Sequence, residues 1–242
     1  YDPEVQKQFS AVCYLYQPSH ILTTFRGTDD SIIGWKEDFH MTYMPQVPAQ
    51  RSATRYLTKL VCQLPVNYML SGHSKGGNLA IYAASQVEPA IQPHIQRVFS
   101  YDAPGAHQSV IDSAGYRAIA DKISSYIPQD SIVGMMLETP DHAQIVKSNY
   151  PGLAQHFTHS WQVEDKHFQP ADELTSDSLQ TDQTLKTWTA THTDEELKEF
   201  FDTFFGIFIQ ADIHHFGDIT VETAQKVQKA IDNMQGLSPE RK

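Results

Sequence analysis

The chain has 242 residues, with 18 Lys and Arg against 29 Asp and Glu, so 18 − 29 gives a formal charge of −11 with His neutral. Hydrophobic residues at 40% and charged residues at 19% exclude a disordered, collagen-like or coiled-coil chain, and the length suits one domain, 1–242, with a substantial core. The acidic balance makes nucleic acid and anionic membrane surfaces poor partners, and no apolar run reaches the roughly 18–20 residues of an integral membrane span.

Cys13 and Cys62 are too few for a disulfide framework or a Cys-rich zinc site. Both lie in apolar runs, where a free thiol behaves as a small hydrophobe, so a reducing compartment is expected. No basic stretch followed by an apolar one follows Tyr1. The expectation is a cytoplasmic, N-terminally truncated chain, with any targeting information upstream of Tyr1.

In chain order, Phe9 to Tyr16 and His20 to Phe25 are β-prone runs split by Gln17-Pro18-Ser19, which predicts a hairpin. Val47 to Leu64 carries apolar residues at helical spacing and stops at Pro65. Val66 to Leu70 predicts a strand, Leu79 to Val87 a helix, and Val98 to Tyr101, Lys122 to Ile127 and Ala143 to Lys147 further strands. This alternation predicts a mostly parallel sheet with helices on both faces. Residues 164–195 are polar and aperiodic, which predicts a surface loop or lid. Thr193 and Glu196 form a capping box ahead of a phenylalanine-rich helix to Phe208. A second helix is expected over Thr220 to Met234, so that 196–236 packs on the same core.

The sharpest signal is Gly72-His73-Ser74-Lys75-Gly76, a G-x-S-x-G sequence between a strand and a helix pattern. Such a turn is sharp and strained. Side chains at Gly72 and Gly76 would strike neighbouring backbone, and the serine hydroxyl stands at the positive end of a helix. An alcohol near neutral pH is a weak nucleophile and needs a general base held by a carboxylate. Chain order Ser, acid, His places both partners downstream of Ser74. Asp130, Asp102 and Asp141 each follow or lie near a predicted strand, where ligands meet such sheets. His156 and His159 follow Pro151-Gly152, and a His-x-x-His metal pair there lacks a third ligand. His73 is expected to pack, and His214 and His215 have no assigned role.

Phe25-Arg26-Gly27-Thr28 with Trp35 and Asp38, and Tyr101-Asp102-Ala103-Pro104-Gly105, resemble blocks of the class 3 (fungal-type) lipases over residues 9–162. The pattern is most similar to a bacterial branch of lipase-like proteins. The resemblance implies an α/β-hydrolase fold and an esterase-like or lipase-like serine hydrolase. It implies Ser74 as nucleophile, Asp130 as acid by its D-x-V context, and His156 as base by its Q-H and S-W context. It also implies an oxyanion hole from Thr28, beside the Lys75 N–H that follows the nucleophile. Arg26 is expected to pair with Asp38, and the Lys75 side chain to be solvated. No metal or organic cofactor is expected. The substrate would be a small-molecule or lipid ester, with a thioester or acylated protein as further possibilities. The competing class is a non-catalytic binding or scaffold domain.

Overall fold

The computed structural model describes residues 2, 4–29, 31–138 and 142–215. Asp141 and the helix expected over Thr220 to Met234 lie outside the described residues. Six strands form the central sheet: β1 (Ala11–Gln17), β2 (His20–Phe25), β3 (Asn67–His73), β4 (Ile95–Tyr101), β5 (Ile123–Pro128) and β6 (Gln144–Val146). Their spatial order follows the chain. β1 and β2 pair antiparallel, the predicted hairpin, and every pairing from β2 to β6 is parallel.

Parallel neighbours need crossovers, and right-handed crossovers in a sequential strand order all emerge on one face. Helices α1 (Ile32–His40) and α2 (Pro48–Gln63) join β2 to β3, and α3 (Lys75–Gln86) joins β3 to β4. The short α4 (Gln108–Ile111) and α5 (Ala114–Arg117) precede β5. α3 packs against both α2 and α5, so these helices share one face. Ile21, Phe25, Tyr68, Leu70, Ile95 and Val98 bury beneath them with Leu57 and Leu79. The expected mostly parallel sheet with helices packed on it is present. At β4 and β5 the opposite face carries an aromatic cluster, Tyr101 and Tyr126 with Trp161 and Phe168. Phe168 comes from a two-stranded hairpin, β7 (Val163–Glu164) and β8 (His167–Phe168).

The segment 164–195 is not a plain loop. After the hairpin it forms α6 (Ser176–Ala190), whose N-terminus is capped by the Thr175 hydroxyl, which accepts from Ser178 N–H. The capping box at Thr193 and Glu196 opens α7 (Asp194–Gln210) as predicted. Leu197, Phe201 and Phe205 of α7 bury against Ile32 and Phe39 of α1. Among the described residues no helix is long and apolar enough to cross a membrane.

Candidate active site

β3 runs straight into α3 through Ser74, whose backbone takes φ 57° and ψ −136°, a strained conformation for a residue with a side chain. Two close approaches hold the bend. A Cβ on Gly72 would overlap the Gly76 carbonyl, and one on Gly76 the Phe25 carbonyl oxygen. The Ser74 N–H donates to Tyr101 O at 3.0 Å, which locks the bend to the end of β4.

The residue after Tyr101 is Asp102, also at positive φ (42°) and only 1% exposed. Its Oδ2 lies 2.7 Å from His156 Nδ1. Its Oδ1 accepts from the Ser131 hydroxyl at 2.5 Å and from Gly134 N–H at 3.2 Å. A carboxylate only accepts, so Nδ1 carries the imidazole proton and Nε2 is the basic nitrogen of the neutral ring. The expectation of Asp130 as the histidine's partner is thereby corrected. Asp130 Oδ2 accepts from Gln155 Nε2 at 2.8 Å and from Gly152 N–H at 3.1 Å, so it fastens the 3-10 turn Gly152–His156. Asp130 reaches His156 only through the neighbouring Gln155. Both aspartates follow strands, and burial separates their roles.

Three further contacts fix that turn. Trp161 Nε1–H donates to Gln155 O at 2.7 Å. His73 Nε2 lies 2.6 Å from His156 O, and the two rings are 4.4 Å apart. Burial, and then the neighbouring His156, hold the His73 pKa below its ordinary value. A carbonyl oxygen only accepts, so His73 Nε2 donates to the turn, more than the packing residue expected. His159 is exposed and stacks on Phe157, away from the Asp102 carboxylate that His156 engages.

The loop after β2 meets the bend from the other side. A Cβ on Gly27 would lie 3.3 Å from that of Ser74, so Thr28 and Lys75 flank the serine. The Thr28 hydroxyl donates to Asp38 Oδ2 of α1. The Lys75 side chain is not solvated but fully buried, with Nζ 3.1 Å from Glu37 Oε2 and 3.6 Å from Asp38 Oδ1. Asp38 thus pairs with Lys75, not with Arg26 as expected; Arg26 is exposed. Burial pushes the Asp38 carboxyl up to about 6, against the opposing pull of Lys75 and the Thr28 hydrogen bond.

Gly134 is followed by Met135 and Met136, which line an apolar cavity of about 380 Å³ with Phe39, Leu185, Trp188 and Phe201. Among the described residues no group of three His, Cys, Asp or Glu side chains could hold a metal ion.

A mostly parallel sheet with helices thus carries Ser74 on a strained strand-to-helix bend, and the preceding His73 meets the histidine of a His156–Asp102 pair. The chain belongs to the Mbeg1-like family, whose model matches residues 1–206. No curated protein matches it. Among solved structures, a Rhizomucor miehei lipase propeptide complex, in a deletion mutant, is similar at 17% identity and a TM-score of 0.40. The match covers 58% of this chain and 52% of that one, so the chain spans about half the length of that structure.

Proposed function

We propose that this chain has an α/β-hydrolase fold and is a serine hydrolase of carboxylic esters, with Ser74 as nucleophile, His156 as base and Asp102 as the acid. The observation that carries the reading is the 2.7 Å contact between His156 Nδ1 and Asp102, with His156 also held by His73, the neighbour of a serine at positive φ. His156 Nε2 takes the hydroxyl proton as Ser74 Oγ bonds to the acyl carbon. Asp102 holds the ring and stabilises the imidazolium that forms. The Thr28 and Lys75 N–H groups stabilise the oxyanion. The imidazolium then gives its proton to the leaving alcohol. Water attacks the acyl-enzyme with His156 again as base, which releases the acid and restores Ser74. The residues that resemble class 3 lipases fit this scheme except at the acid, which sits one strand earlier.

The cavity lined by Met135 and Met136, which follow Gly134 in the chain, supports an ester with a hydrocarbon acyl chain over a compact polar one. The test is a fluorophosphonate probe, which phosphonylates only an activated serine, run beside a series of esters of increasing chain length. Stoichiometric labelling lost in Ser74→Ala, with hydrolysis, supports the enzyme. An inert Ser74 in folded protein overturns it and leaves a non-catalytic domain. Leu185→Trp, which fills the cavity, should shift the preferred chain towards shorter esters; an unchanged profile would place the acyl group elsewhere.

A further inference from the structure

Lys75 is the residue after the proposed nucleophile, yet its side chain runs into the interior with 0% exposure. Its ammonium meets two carboxylates from consecutive positions of α1, Glu37 at 3.1 Å and Asp38 at 3.6 Å. The three groups have separate anchors. Glu37 accepts from Ala49 N–H of α2 at 2.8 Å and from Gln8 N–H at 3.0 Å. Asp38 accepts from the Thr28 hydroxyl. Gln8 also donates through Nε2 to Gly27 O at 3.3 Å. The loop that holds Thr28 and the bend that holds Lys75 are therefore joined beneath the surface through one cation.

Core stability alone does not call for this arrangement. A buried ammonium and two carboxylates cost much desolvation, and apolar side chains of similar volume often serve as well or better. The cluster instead fixes a distance. Lys75 has its main chain at one wall of the proposed oxyanion hole and its side chain on the helix that orients the other wall. Donors aimed at a developing charge act through their preset position. Resting on the serine-hydrolase reading above, we infer that Lys75 is a positioning residue. Its buried side chain, through Glu37 and Asp38, sets the spacing of the Thr28 and Lys75 N–H donors.

The test compares wild type, Lys75→Arg and the double variant K75M/D38N. In the double variant the introduced amide can still accept from Thr28, and Glu37 keeps its two backbone donors although its buried carboxylate loses the Lys75 ammonium. Rates are read per Ser74 site titrated with fluorophosphonate, which cancels any loss of folded protein. The substrates are an oxo ester and its thiono analogue, whose larger sulfur fits poorly in a hole set for oxygen. The double variant should lose about 10- to 100-fold in kcat, less than or near the loss of a whole donor. KM should stay unchanged, and the wild-type preference for the oxo ester should shrink. Lys75→Arg, which returns a cation to the cluster, should regain part of both. Wild-type kcat and oxo/thiono preference in the double variant overturn the role of Lys75 and leave the triad standing. An inert wild-type Ser74 overturns the hydrolase reading and this role together.

Discussion

Asp102 and Asp130 are chemically the same side chain at the same kind of address, the residue or two beyond a parallel strand. Asp102 is buried, with one oxygen on the imidazole and the other on Ser131 and Gly134. Asp130 spends its contacts on Gln155 and the Gly152 N–H. Asp102→Asn places an amide where the imidazole proton needs an acceptor, and should cut kcat by about 10⁴-fold, as losing the acid of such a triad does. Asp130→Asn keeps an acceptor for Gln155 and should cost less than 10-fold, on the order of one weakened hydrogen bond. Ester turnover of the two variants checks the order, and the reverse ranking would return the acid to Asp130. The sequence carries no sign of this difference, because burial is decided by segments far along the chain. The bend at Ser74 was legible, since Gly72 and Gly76 are a local steric demand. The inward course of Lys75 was not, since its partners at 37 and 38 lie an intervening helix and strand earlier in the chain.

At the scale of elements, α1 is the common support. Its first turn follows the Thr28 loop, its last turn carries Glu37 and Asp38, and its Phe39 ring packs 5.0 Å from Phe201 and 5.7 Å from Phe205 of α7. Lys36 adds a 2.6 Å ion pair to Asp202 across the same contact. Phe205→Ala, at a fully buried position, should cost about 3–5 kcal/mol in chemical denaturation. Phe204→Ala, whose ring is 44% exposed, should cost well under half of that. Equal costs would mean that α7 does not brace α1 through this face. α7 was readable from its capping box and apolar period. α6 was not, because Ser178 is its single buried residue and a helix without an apolar stripe has no period to find. The predicted sheet emerged strand by strand, because each strand is a short apolar run bounded by turn residues.

For the whole molecule, α1 places two buried titrating groups in opposition. Burial raises the Asp38 pKa from 3.8 to about 6. Between about pH 4 and 6 the native state holds a proton that the unfolded chain has lost, so this group makes stability fall as pH rises. Burial, and then Lys36, lowers the His40 pKa from 6.5 to about 4. There the unfolded chain binds the proton first, so stability is lost as pH falls from about 6.5 to 4. His40→Gln should therefore gain melting temperature on acidification from pH 6 to 4.5 relative to wild type, and Asp38→Asn should lose it. Thermal melts across that range decide the point, and parallel curves for all three proteins would sink it.

The tethers of the 152–156 turn have a bearing on how the protein is born. They reach back 83 residues to His73 and 54 to Asp102, across a parallel sheet whose pairings are slow to close because they are distant in the chain. A nascent polypeptide halted before residue 156 carries Ser74 but lacks the imidazole proposed to deprotonate it. In the scheme proposed here, the chemistry therefore waits until residue 156 has been made and has docked on Asp102.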